Sequence, residues 1–461
     1  MKHWVTVLCA FAIGCDSPSA TEGADASPAD ADANLVGNVV VHAVDKTGAA
    51  VPGLHVVFID SDGTTIDQVT NAQGTAQASV HPGASATVIR ERNTLGAYSM
   101  TTVQALVPGD DITIDTAPGS AAATDDAMSN RVVPLNTTAA GNMTFTYPAY
   151  SGAAKYIVFT PCGRTDVGTS RSPSLAFQAG CVKSPFDVLV VAASSGDVPL
   201  AWATKSGITF AAKATAAITD TWHAPESFAA TYTNVTNRVT SIEMNRFVPY
   251  VRGIAQQVAT GTTTGGDTTI STTKATKGLT TLIKSRILCA EGTGAGCVSS
   301  SSGTAQQTIN EVIDGNAAAY SLDVGANLLP WVSASYVPET KTIAVTLTGT
   351  GTVDLFEANL RYTRNNAVIY TWRVFGPTPG DVTFPTLPAT IPGDPTVRST
   401  DAQGVYQVYL CESTALSGYR AAIKNVYESL GTCEANATAT GTTATKPLAP
   451  TTGMSRLSQW N

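Results

Sequence analysis

Short apolar runs broken by turn residues constrain this chain more than any other feature. Between Leu35 and Thr116 the runs include Val39 to Val44, Leu54 to Ile59, Ala76 to Val80, Ala86 to Ile89 and Ile112 to Ile114. They are interrupted about every 8 to 12 residues. The interruptions, such as Asp45-Lys46-Thr47-Gly48, Ser61-Asp62-Gly63, Asn71-Ala72-Gln73-Gly74 and Val107-Pro108-Gly109-Asp110, are turn chemistry. Runs this short make strands, and the richness in Gly, Pro, Thr and Ala continues along the chain. The pattern predicts an all-β protein of tandem β-sandwich domains, with at most one or two short helices.

At 461 residues the chain exceeds one ordinary domain. Residues 16–34, DSPSATEGADASPADADAN, hold almost no large apolar side chain and cannot offset the entropy of ordering. They read as a disordered acidic tether, about 60 Å long when extended. The first sandwich is expected over 35–116, followed by a linker over 117–130 and a second sandwich over 131–219. A larger β-rich domain covers 220–440, and 441–461 reads as a frayed tail. Within the large domain, Thr260 to Lys277 reads as an exposed loop. Leu355 to Phe375 reads as a hairpin. Setting Leu360 opposite Trp372 and Tyr362 opposite Tyr370 keeps the apolar faces together and leaves a three-residue loop, Asn365 to Ala367. Pro-rich residues 377 to 395 cannot be a central strand. Leu416, Tyr419, Ile423, Val426, Tyr427 and Leu430 recur at helical spacing.

The stretch VVVHAVDKTGAAVPGLHVVFIDSDGTTIDQVTNAQGTAQASVHPG resembles a bacterial immunoglobulin-like or carboxypeptidase-regulatory-like domain. The marks are Asp45, Gly48, Val51-Pro52-Gly53, Asp62-Gly63 and Asn71 to Gly74. The resemblance covers about 80 residues and implies an immunoglobulin-like sandwich. MTFTYPAYSGAAKYIVF resembles a fibronectin-III-like opening for the second unit.

At the other end, Met1-Lys2-His3 is basic and Trp4 to Ile13 is apolar. The run is far below the ~20 residues needed to span a bilayer, so it reads as an export signal peptide. Ala12-Ile13-Gly14-Cys15 resembles the lipobox of bacterial lipoproteins. That resemblance implies a lipid on Cys15 and membrane anchoring in the bacterial cell envelope, at the outer membrane or cell surface. An oxidising compartment favours disulfides among the other cysteines. Cys162 with Cys181, Cys289 with Cys297 and Cys411 with Cys433 are the sequence-local pairs among the 15 connectivities six cysteines allow.

Chemistry is sparse. The net charge is −8 with no basic stripe, so a nucleic-acid partner is not expected. Ser271-Thr272-Thr273-Lys274 and Lys46-Thr47-Gly48 match the letters SxxK and KTG, but in reversed order and inside a Thr-rich stretch and a turn. Asp60, Asp62 and Asp67 surround one turn and are candidate calcium ligands, although turn-forming Asp-Gly explains Asp62 without an ion. His42 and His55 could supply half a metal site from neighbouring strands. Trp202, Trp222, Trp331 and Trp372 could stack on sugars or fill cores. No catalytic set or cofactor is assigned. The reading is a non-enzymatic, lipid-anchored surface protein with a structural or adhesive role. Its alternatives are a glycan or cell-wall binding module, or a hydrolase of unrecognised type in the third domain.

Overall fold

The structure is a computed structural model. It describes residues 35–45, 48–91, 97–116, 138–179, 182, 185–237, 239–248, 256–274, 281–289, 305–365, 368–426, 429–430, 433 and 453–460. The leader, Cys15, the tether and the 117–130 linker lie outside these residues.

The N-terminal region carries β1 (Gly37–Val44), β2 (His55–Ile59), β3 (Thr65–Val69), β4 (Thr75–Val80), β5 (Ala84–Glu91), β6 (Tyr98–Leu106) and β7 (Asp111–Asp115). β1 pairs antiparallel with β4 and parallel with β7. This three-stranded layer lies over β6, β5 and β2. Val39, Val41 and Ala43 meet Val56, Phe58, Val88 and Val103 in one core. Alternation in β1 and β4 builds that core from every second side chain. Gly74 has φ +71°, and a Cβ there would lie 2.6 Å from the Ala43 carbonyl oxygen, so the Asn71–Gly74 turn requires glycine.

The middle region carries β8 (Ala139–Thr146), β9 (Lys155–Thr160), β10 (Gly163–Asp166), β11 (Ser174–Gln178), β12 (Phe186–Ala193), β13 (Pro199–Ile208) and β14 (Thr215–Ala217). They form two sheets, β10-β9-β12-β13 and β11-β8-β14. The core between them, including Phe145, Phe177, Val158, Val188 and Val190, is built wholly from this region. His223 exchanges backbone hydrogen bonds with Trp202 on β13, so the unit extends past the expected boundary at 219.

The C-terminal region carries β15 (Glu226–Thr233), β16 (Val239–Val248), β17 (Gln256–Thr264), β18 (Thr268–Lys274), β19 (Thr281–Cys289), β20 (Ala305–Ile313), β21 (Ala319–Asp323), α1 (Val324–Asn327), β22 (Trp331–Val337), β23 (Thr342–Thr348), β24 (Leu355–Arg364), β25 (Val368–Gly376), β26 (Val382–Thr383), β27 (Ala402–Ser413), α2 (Tyr419–Ala422) and β28 (Met454–Trp460). Its sheet does not stop at its own boundary. One 12-stranded sheet runs β17-β16-β19-β20-β28-β27-β24-β25-β6-β5-β2-β3. The junction is a parallel pairing of β25 with β6, from Tyr370 opposite Tyr98 to Phe375 opposite Val103. The N- and C-terminal regions are therefore one composite body, and the middle sandwich is inserted between β7 and β15.

Apart from the largely exposed edge strand β3, both faces of the long sheet's central described strands are covered. β18-β15-β21, β22-β23-β26 and the segment around Phe384, Leu387, Ile391 and Val397 pack on one face. The layer β4-β1-β7 and the helical segment around Tyr419, Ile423, Val426 and Leu430 pack on the other. Double coverage explains why Val56 and Phe58 of β2 face one core while Val57 faces the other. Cys411 on β27 is joined by a disulfide to Cys433, with Cα atoms 5.6 Å apart, which pins the helical segment to the sheet. Tyr419 Oη donates to the Gln104 carbonyl, and Arg420 pairs with Asp110 at 2.8 Å, so the same segment also grips the N-terminal region.

Three further expectations change. The expected independent first sandwich shares its sheet and one of its cores with the third region. The 441–461 tail contains β28, an interior strand between β20 and β27. Ser455, Ser458 and Gln459 are buried there, so its burial pattern does not follow hydrophobicity. The described part of Thr260 to Lys277 is strand β17, a short turn over 265–267 and strand β18, not one exposed loop, because β-branched threonine favours extended backbone and Ile270 is buried. The hairpin register is as read: Leu360 faces Trp372, Tyr362 faces Tyr370, and Arg364 faces Val368 across a three-residue loop.

Candidate functional site

The candidate metal ligands sit on the first region. Asp60 follows β2, Asp62 lies in the turn to β3, and His81 follows β4. Ligand atoms of these three lie within 4.8 Å of one another. Asp67 is not in the group. It lies on β3 opposite Val57 and is turned to His55 Nδ1 at 3.1 Å. The expected Asp60, Asp62 and Asp67 trio is thus replaced by two carboxylates and an imidazole, a donor set that suits a transition metal better than Ca²⁺. The pairing of His42 with His55 is also corrected. β1 and β2 belong to different sheets.

In the structure these groups hold the turns. Asp60 Oδ1 accepts from the backbone N–H groups of Ser61 and His81, at 2.7 and 2.8 Å. Asp60 Oδ2 lies 2.8 Å from His81 Nδ1. Burial alone would raise the Asp60 pKa, but the hydrogen bonds from His81 and Ser61 outweigh it and hold the carboxyl below its ordinary value. Asp62 is lowered mainly by the N–H of Thr64. The other histidines follow the same pattern. His42 pairs with Asp111 at 2.9 Å, and His223 with Asp220 at 3.1 Å.

A second polar constellation lies at the end of β24, and the alternation that places it there is visible in the sequence. Phe356, Ala358, Leu360 and Tyr362 point into one core, so Arg364 continues their face and carries its charge inward. Its guanidinium meets the Asp401 carboxylate through two contacts of 2.8 Å. It also donates to the carbonyls of Asp394, at 2.6 Å, and Thr396, at 2.7 Å. It lies over the Tyr370 ring, 5.0 Å from the centroid.

Tyr362 Oη donates to the Pro395 carbonyl, and Tyr370 Oη to that of Gly393 at 3.2 Å. Four consecutive carbonyls, Gly393 to Thr396, are therefore gripped by three side chains. Beneath them Tyr98, Tyr370 and Tyr362 stack, with centroids 5.5 and 4.8 Å apart. A Cβ on Gly393 would run into the Tyr98 ring, and its φ of +74° also favours glycine there. Burial raises the Tyr362 phenol well above its ordinary range. Next to Gly393, Asp394 has φ +40°. Left-handed backbone costs about 1 to 3 kcal/mol in a non-glycine residue.

The four tryptophans do not form a sugar platform. Trp202, Trp331 and Trp372 are buried. Trp222 packs among Tyr147, Tyr150 and Tyr156. The Trp372 indole donates to Thr102 Oγ1 at 2.8 Å across the β25–β6 junction, so its role is core packing. Cys162 and Cys289 are each disulfide-bonded, while Cys181 and Cys297 lie outside the described residues. Ser271 sits on β18, and Lys46 and Thr47 lie outside the described residues.

No family model matches the chain, and no curated protein matches it. Among solved structures it is similar to the Bacillus anthracis TIE protein, with 11% identity and a TM-score of 0.15, over 63% of this chain and 50% of that one. The chain thus spans half the length of that protein. A shaft pilin from Lactobacillus rhamnosus GG gives 8% identity and a TM-score of 0.14, over 41% of this chain and 98% of that one. A Ca²⁺-stabilised adhesin with which an Antarctic bacterium binds ice gives 11% and 0.12, over 82% and 95%.

Proposed function

We propose that this is an exported cell-envelope protein, lipid-anchored through Cys15, with a structural or adhesive role and no enzymatic one. The observation that carries the reading is the build of the molecule. A β-sandwich with its own closed core is carried on a larger β platform that is pinned by the Cys411–Cys433 disulfide. The 16–34 tether would hold that platform away from the membrane, and the inserted sandwich would be presented outward to a protein or glycan partner. The disulfide suits an oxidising compartment.

Two measurements test this. Fatty-acid labelling should mark the wild-type protein and be lost in Cys15→Ala; persistent label would remove the lipid anchor. Protease shaving of intact cells should release the β regions. Protection until the envelope is permeabilised would place the protein inside, as a scaffold.

A further inference from the structure

We propose that the Asp394–Pro395 peptide bond is a self-cleavage site, with the Asp394 carboxylate as nucleophile and Arg364 as the donor that polarises the carbonyl under attack. Four observations converge on this bond. The residue before a proline is driven by sterics to extended backbone at negative φ. Asp394, directly before Pro395, instead has φ +40°. Strain of this kind persists only where the surroundings impose it. Here they do, because Tyr370 holds the carbonyl before the bond and Tyr362 the one after it.

The carbonyl of Asp394 itself receives Arg364 Nη1 at 2.6 Å. That guanidinium is buried and is fixed independently by Asp401 and the Thr396 carbonyl. A preorganised cationic donor of this kind stabilises negative charge developing on the oxygen. The Asp394 carboxylate pairs with Arg398, and the hydrogen bond from Arg398 holds its pKa below the ordinary value. It is therefore ionised and needs no external base.

The chemistry closes on the groups present and water. One Asp394 Oδ attacks the Asp394 carbonyl carbon. A C–O bond forms while the C–N bond to Pro395 breaks, and the bonding pair stays on the Pro395 nitrogen, which takes a proton from solvent. The product is a five-membered cyclic anhydride. Water opens it to the α-carboxylate and the restored side-chain carboxylate, releasing two protons. One replaces the proton taken earlier, and the other protonates the new amino terminus. No oxidant, metal or second enzyme enters.

The product is a nicked chain that stays assembled. Residues 395–461 supply β27 and β28 to the interior of the long sheet, so noncovalent pairing with β24 and β20 retains them. Cys411 and Cys433 both lie in this piece, so their disulfide does not tie it to the rest.

The test is a time course on the purified full chain in mildly acidic buffer, read by reducing gel electrophoresis and intact mass. The same chain unfolded in urea serves as the reference. The native chain should split between Asp394 and Pro395 at least about tenfold faster than the unfolded chain. Asp394→Ala should abolish the split. Pro395→Ala keeps the nucleophile and replaces the proline leaving group. It should slow cleavage by at least about tenfold, with its fold checked by near-UV circular dichroism. A native rate no greater than the unfolded rate would overturn the proposal, as would wild-type cleavage in Asp394→Ala.

Discussion

The composite body and the inserted sandwich solve the same problem from different distances. In the sandwich, every paired strand and every core residue comes from one stretch of fewer than a hundred residues. In the composite, strands near the start and end of the chain lie in one sheet, and β6 pairs with β25. Parallel pairing of this kind needs a long connection, here one that contains a whole domain. The lesson is that the sandwich's stability is local, whereas the composite's depends on contacts between regions hundreds of residues apart. The two should therefore unfold separately.

Substitutions can break that separation or sharpen it. Ending the chain after Thr452 removes β28, turns β20 and β27 into open edges that split the sheet, and deletes the buried Leu457 and Trp460. Calorimetry should lose the composite's transition, a loss on the order of a domain's whole stability, and keep the sandwich's. Glu357→Gln keeps an acceptor but removes the negative charge that meets Arg373 at 2.6 Å in a buried pair. It should cost the composite about 3 to 5 kcal/mol in denaturant titration, because a buried ion pair loses one of its two charges. Phe145→Ala should cost a similar 3 to 5 kcal/mol, roughly, but only in the sandwich transition.

Smaller effects should follow at the edges. Asp323 caps α1 by accepting from the Ala326 N–H at 2.9 Å. Asp323→Ala should move the composite's denaturation midpoint slightly downward. Asp60 has a folded pKa below 3.8. Its stabilisation is complete above that unfolded value and is lost as pH falls through the folded one. Acid titration of Asp60→Asn should thus differ in slope from wild type as pH falls through the ordinary aspartate range, and in the composite's transition.

The same contrast explains what the sequence made legible. The Leu355–Phe375 hairpin was readable because its large side chains alternate and a short loop fixes the register. The strand-by-strand character of the sandwich was readable for the same local reasons. The β6–β25 junction was not, since no turn joins its strands and both read as ordinary half-buried strands. β28 was hidden because Leu457 and Trp460 lie three apart, on opposite faces of a sheet covered on both sides, and serines and a glutamine fill the buried positions beside them. The grip on residues 393–396 left one trace: Arg364 continues the apolar face set by Leu360 and Tyr362, and a charge there calls for a buried partner. Its partners lie thirty or more positions later, beyond the reach of spacing arguments.

Native-state hydrogen exchange with increasing denaturant tests the central claim most directly. Amides of β6, β25 and β28 should converge on one opening free energy, and those of β12 on another. If β6 opens together with β1 and β4 but independently of β25 and β28, the N-terminal region is a separate sandwich and the composite body does not exist.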